Sequence, residues 1–249
     1  TNGSFGIKDF DLTAVRPAIG IGTNYTMGRF SLGSNLTYTR LVGDDAFTAL
    51  QGRNERNLSV RTDLIEMNLL GELRPFGNTP VLKRMYFKGG VGGIFYQPKA
   101  KYNDEWVKLR PLGTEGQNLN GGKSYSKISL VVPYGIGYKF PLGLTTTLNL
   151  DIGLRKTFTD YLDDVSTLYA DNTVLLENDG SFAAALADRS SLSKTEGSQR
   201  GNSENKDSYF LVGLKFEKTI GKTSSCFYDD VPMNNKRRIK RQQRKMFRR

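Results

Sequence analysis

Residues 127–156 read KISLVVPYGIGYKFPLGLTTTLNLDIGLRK, and their spacing decides the fold. In the first half Ile128, Leu130, Val132, Tyr134, Ile136, Tyr138 and Phe140 alternate with Ser129, Gly135, Gly137 and Lys139. In the second half Leu148, Leu150, Ile152 and Leu154 alternate with Thr147, Asn149, Asp151, Gly153 and Arg155. Successive side chains of an extended chain point to opposite faces, so a sustained period of two predicts strands with one apolar and one polar face. The Pro141-Leu142-Gly143 break between the halves predicts a tight turn.

The same alternation recurs over 17–26, 30–40, 62–74, 86–96 and 208–218, which makes seven strands. Connections at 27–29, about 75–84 and 141–143 are short and carry Gly or Pro. Those at about 41–60, 97–125 and 157–207 are long and polar. Short turns at one end and long loops at the other describe an all-β, antiparallel up-and-down barrel.

Alternation alone leaves two inside-out arrangements open: a soluble barrel with its apolar face inward, or a transmembrane barrel with that face in lipid. Three features favour the second. The polar face is rich in glycine, which suits a crowded lumen. It carries near-balanced charge, Glu66, Glu72, Asp151 and Glu217 against Arg74, Lys88, Lys139, Arg155 and Lys215, as expected of a paired lumen network. Aromatics bracket the apolar face, as in Phe30 with Tyr38, Phe87 with Phe95 and Phe210 with Phe216. Eight residues extend about 26 Å, or about 20 Å when the strand is tilted, close to the apolar band of such barrels.

Small single-chain barrels have eight strands. The eighth is expected at the N-terminus, ending within Thr1–Asp11 and partly missing from this chain. That places a barrel over 1–218 with long extracellular loops, and a periplasmic tail over 219–249. The chain opens at Thr1 with no Met and no signal-type segment, as expected of a processed form or of a chain whose start has been lost. No stretch approaches the 18 to 20 apolar residues, roughly, of a spanning helix.

The 249 residues carry 36 Lys and Arg against 25 Asp and Glu, a net charge of +11. Nine of the bases lie in the last fourteen residues: Lys236, Arg237, Arg238, Lys240, Arg241, Arg244, Lys245, Arg248 and Arg249. Without them 27 bases face 25 acids, so the body is nearly neutral and the basicity belongs to the tail. So dense a like-charge block is expected to order only against a partner. Ile239, Met246 and Phe247 would give a helix there a small apolar stripe, which favours a protein or lipid surface over nucleic acid. The lone cysteine, Cys226, lies about ten residues past the last strand. In an oxidising compartment an odd cysteine points to an intermolecular disulfide, with a free thiol as the alternative.

The absence of histidine removes Ser-His-Asp and Cys-His catalysis and HExxH zinc chemistry. One cysteine removes zinc fingers and iron–sulfur clusters. No catalytic residue, cofactor or metal is expected. Asp160, Asp163, Asp164 and Asp171 could gather around Ca²⁺, but their spacing fits no EF-hand, and hydrogen-bonding or capping roles are favoured. Gly89–Gly93 lies within a strand and lacks the following Lys-Ser/Thr of a phosphate loop.

Four segments carry a family resemblance: RPAIGIGTNYTMGRFSLGSNLTYTRLVGDD (16–45), RNLSVRTDLIEMNLLGELRPFG (56–77), FKGGVGGIFYQPKA (87–100) and VPYGIGYKFPLGLTTTLNLDIGLRKTFTDYLDDVSTLY (132–169). The chain resembles the PorG-like small outer-membrane β-barrels of the Bacteroidota type IX secretion system over about 16–218. The run Gly153–Val165 is the most specific piece. The resemblance implies a non-enzymatic outer-membrane barrel that anchors a periplasmic ring of PorK- and PorN-like proteins, in secretion and in gliding. The residues themselves leave two alternatives open: a small outer-membrane pore or enzyme, and a soluble barrel with a nucleic-acid-binding tail. Eight strands enclose a lumen that side chains just fill, so a plugged barrel is expected.

Overall fold

The computed structural model describes residues 15–44, 59–76, 81–119, 122, 124–143, 145–190 and 194–220. It is an antiparallel up-and-down sheet that curls into a partial barrel. The strands are β1 (Ala18–Met27), β2 (Phe30–Asp44), β3 (Ser59–Leu73), β4 (Met85–Tyr102), β5 (Glu105–Lys108), β6 (Ile128–Pro141), β7 (Thr146–Thr157) and β8 (Ser208–Lys218). The sheet order is β1-β2-β3-β4-β6-β7-β8, and β5 pairs only with the outer end of β4. Each strand hydrogen-bonds to its sequence neighbour in the wall, the lowest-entropy way to close a sheet because every pairing spans a single loop.

The seven wall strands are those read from the alternation. Differences lie at the loop end. β2 runs to Asp44 and β4 to Tyr102, and the expected loop over 97–125 contains the hairpin partner β5. The expected loop after β7 contains two short helices, α1 (Asn172–Asn178) and α2 (Ser181–Ala187). Asp171 caps α1, its carboxylate accepting from the Thr173 amide at 2.7 Å.

Seven is an odd number, so β1 and β8 run in the same direction. Among the described residues no backbone pairing joins them. Antiparallel closure therefore requires one more strand between these edges. The strand expected to end within Thr1–Asp11 lies outside the described residues, as does the tail from 221 onward with Cys226 and the nine bases of 236–249.

The sheet is inverted relative to a soluble protein. Apolar side chains face out along every wall strand: Ile21 is 76% exposed, Met67 66%, Leu130 66% and Leu214 68%. The polar face is buried, with Glu66 and Asn149 fully enclosed and Lys139 only 4% exposed. A water-soluble sheet places these residues the other way round, since large apolar surface in water and charge out of water are both unfavourable.

Glycine lets the wall curl this tightly. A Cβ on Gly135 would stand 2.1 Å from the Ile152 carbonyl oxygen and 2.6 Å from the Gly153 Cα. Gly135 pairs with Gly153 across β6 and β7, so the two backbones meet without side chains on the inner face. Gly135→Val is expected to destabilise the barrel by about 1–3 kcal/mol. Denaturant unfolding followed by circular dichroism checks this, while Gly143→Ala at an open turn position should leave the midpoint unchanged.

Candidate functional site

Two arrangements of polar side chains stand out, one in the lumen and one in the cap formed by the long loops. In the lumen, inward positions two residues apart carry the charges, so the strand period itself brings them together. Lys139 on β6 donates to Glu72 on β3 at 2.8 Å and to Glu217 on β8 at 3.3 Å. Lys215 lies 2.7 Å from Glu217 and 3.7 Å from Glu72. Lys88 on β4 donates to Asp151 on β7 at 2.7 Å, and the Tyr86 hydroxyl donates to the same carboxylate. Arg155 sits 3.5 Å from Glu66, which also accepts from the Tyr209 hydroxyl and from Asn68. At the turn end the Arg74 guanidinium donates to the Gly28 carbonyl. Asn24 on β1 donates to Glu217 on β8 at 2.6 Å, a side-chain contact between the two edge strands.

Most of these contacts cross the lumen between strands, while Lys215–Glu217 on β8 and Asn68–Glu66 on β3 run along one strand. They fill the interior with ion pairs and hydrogen bonds, the arrangement in which buried charge is tolerated. Breaking one pair exposes the energetics. Asp151→Leu leaves Lys88 beside the cations Arg155 and Lys215 without its carboxylate, and is expected to destabilise by about 3–5 kcal/mol. Lys88→Met combined with Asp151→Leu should recover most of the loss, since the unpaired charge is gone. A double-mutant cycle in denaturant measures both.

The cap closes the loop end of the lumen. Leu162, from the run Gly153–Val165, packs with Leu64, Ile94, Tyr96, Val131 and Tyr209. Its carbonyl accepts from Thr62 of β3, and its amide donates to Asp207 at 2.9 Å. Tyr125 stacks on Tyr161 at 4.2 Å between ring centres, and on its other side is parallel to Tyr96 at 6.4 Å. A second apolar cluster joins Val60 and Ala100 of the wall to Leu109, Val165 and Leu186 of the loops.

Arg200 ties the loops together. It meets Glu115 at 3.1 Å, Thr114 at 3.3 Å and the Asp164 carbonyl at 2.7 Å. Glu115 in turn accepts from the Ser166 amide at 2.8 Å and the Thr167 hydroxyl at 2.7 Å. Asp164 accepts from the Thr114 and Tyr125 hydroxyls, and Asp163 accepts from the Val165 amide at 3.1 Å. The four aspartates singled out from the sequence are thus spread through turns and a helix cap. Among the described residues no group of His, Cys, Asp and Glu is placed to hold a metal ion. Glu115, Arg200 and Asp207 carry the cap and were not singled out, because loop residues follow no period.

Burial raises three carboxyls of the cap, Asp160, Asp164 and Asp207. Asp164 moves from 3.8 to about 6, against the opposing pull of Arg200 and the Thr114 and Tyr125 hydroxyls. Asp160 also rises from 3.8 to about 6 by burial, opposed by Ser166 and Lys206 and reinforced by Asp163. Asp207 is raised as well, by burial and then by Asp163. A carboxyl with a raised folded pKa binds more protons folded than unfolded, so its contribution falls as pH rises from about 4 through 6. The cap is therefore expected to loosen between pH 5 and 8, roughly. Amide hydrogen exchange at Leu162 and Ser166, corrected for intrinsic rates, should quicken, while amides in the centre of β6 and β7 should not.

Comparison with protein-family models, with curated proteins and with solved structures finds no match to this chain.

Proposed function

We propose that this chain is a non-enzymatic outer-membrane barrel that anchors or positions a periplasmic protein ring, as in type IX secretion and gliding. The observation that carries the membrane part is the inverted sheet, with Ile21, Met67, Leu130 and Leu214 exposed around a buried charge network. In hydrocarbon such a skin is stable, and closure of the sheet by the expected eighth strand would satisfy the backbone polar groups of the edges β1 and β8. The short turns then face the periplasm and the long loops the exterior.

The ring part rests on the likeness to PorG-like barrels and on the tail chemistry. Cys226 and the nine bases of 236–249 follow β8 on the periplasmic side. Charge-assisted contacts from such a segment supply partner choice, while lipid supplies the anchor. PorK- and PorN-like proteins are the partners this reading names, with a disulfide at Cys226 as the covalent option. Nucleic acid and resident cofactors have no place in it.

Two measurements test it. Native purification in mild detergent should bring down a ring protein, and deletion of 223–249 should release that protein from a folded barrel. A Cys226 link would run as a larger band without reductant. Unchanged co-purification of the deletion variant overturns the docking role. For the membrane part, Ile136→Arg near the middle of the outer face should destabilise the barrel in vesicles by about 2–4 kcal/mol. In a soluble barrel the same change on an exposed residue would stay within about 0.5 kcal/mol.

A further inference from the structure

A row of cations crosses the outer face of the sheet at its loop end. Arg61 on β3 stands in register with Lys99 on β4, and Lys99 in turn with Lys108 on β5. Neighbouring strands lie about 4.8 Å apart, so three like charges share about 10 Å of one sheet face. Their chain neighbours fix which face this is. Val60, Ala100 and Leu109 are buried in the inner cluster and Val107 packs against it. Alternation therefore turns Arg61, Lys99 and Lys108 outward. Arg40, in register with Asp63, and Lys101, in register with Trp106, share that outer face.

Like charges directly opposite one another on a sheet are unfavourable, and the acids nearby compensate only part of the row. Asp63 is held by Arg40 and by Lys99, each at 2.7 Å, and lies 3.9 Å from Arg61. Asp104 takes Lys101 at 2.7 Å. Glu105 stands in register with Tyr102, which packs against the inner cluster. Arg40, Arg61, Lys99, Lys101 and Lys108 thus meet only Asp63 and Asp104 among the described side chains of this face. Arg61 lies over the Trp106 ring, 4.9 Å from its centre, and Lys108 is exposed. On the far wall the corresponding outer row holds one cation, Lys156 on β7, between Val132 and Ser208.

The height of the row identifies the anion. Tyr38, Ile65 and Phe95 are the loop-side limit of the exposed apolar skin on β2, β3 and β4. Arg40 and Asp63 follow two residues further along their strands, and Arg61 and Lys99 follow four. Those steps are about 7–13 Å of strand, or about 5–10 Å along the membrane normal at the usual tilt, which is the depth of the headgroup layer. Guanidinium and ammonium groups gathered there match a phosphate, whose oxygens can accept from several of them at once. We propose that the outer rim of β2–β5 binds the phosphate of an anionic lipid headgroup through Arg61, Lys99 and Lys108, with the acyl chains against Ile65 and Phe95. The inference rests on the membrane reading of the wall and is independent of the tail and its ring partner.

Trp106 is the single tryptophan of the chain and touches Arg61, so its fluorescence reports on this rim, while the basic tail carries no such probe. The full chain is placed in phosphatidylcholine vesicles. Quenching of Trp106 by dibrominated phosphatidic acid is compared with quenching by dibrominated phosphatidylcholine at equal fraction. Phosphatidic acid should be preferred by about tenfold. Lys99→Gln combined with Lys108→Gln should lower that preference by about fivefold or more. Lys108→Gln alone, at an exposed residue outside the Asp63 pairs, should lower it by about twofold or more, while Lys156→Gln should leave it unchanged. Equal quenching by the two lipids overturns the headgroup site and leaves the membrane barrel standing. A preference that Lys108→Gln and the double variant leave unchanged, or that Lys156→Gln lowers as much as Lys108→Gln, also overturns the site. Quenching by neither lipid overturns the membrane reading and the site with it.

Discussion

The pairing of charge inside a sheet whose outside is apolar is the constraint on which the rest of this molecule depends. Glu66, Glu72, Asp151 and Glu217 can be buried only because Lys88, Lys139, Arg155 and Lys215 reach them across the lumen. Lys139 and Glu72, Lys88 and Asp151, and Arg155 and Glu66 sit on different strands, so these pairs specify which strands must face one another. It also specifies register. A slip of one residue would turn Glu66 and Glu72 outward and carry Ile65 and Leu73 into the ion pairs.

Polar pairing gives way to apolar packing toward the loops. Tyr209 links the two zones, its hydroxyl on Glu66 and its ring in the cluster with Leu64, Tyr96 and Leu162. Above that cluster, Arg200, Glu115 and Asp164 bind the long loops into one cap. A loop of this length without such internal partners would leave many backbone groups to find water inside a narrow mouth. Asp164 of the run Gly153–Val165 serves this purpose: it accepts from the Thr114 and Tyr125 hydroxyls of a neighbouring loop, and burial raises its carboxyl to about 6.

The wall was legible in the sequence because it obeys one period. Residues 127–156 alone yield the hairpin of β6 and β7, the apolar outer row and the inner positions of Lys139, Asp151 and Arg155. Pairing between particular lumen residues was not legible, since period two assigns a face and not a partner. Lys139 meets Glu72, 67 positions away, through the curl of the sheet. The cap was least legible. The four residues of β5 are too few to establish alternation, and α1 and α2 span only seven residues each. The Asp171 cap before α1 was the one local signal available there, and it stands among aspartates for which capping was favoured over Ca²⁺ without the capped helix being identified.

The division between barrel and tail follows from the same electrostatics. A lumen that neutralises itself contributes almost nothing to the charge seen from outside, and residues 1–235 carry a net of only +2. The remaining nine positive charges are confined to fourteen residues beyond the sheet. On the membrane reading proposed above, bases spread over the wall would each need an acid partner or would face lipid, at about 2–4 kcal/mol near the midplane. Confining them to the sequence past β8 removes that conflict. On that reading the attachment chemistry can change without disturbing the interior, because the two charge populations answer to different solvents.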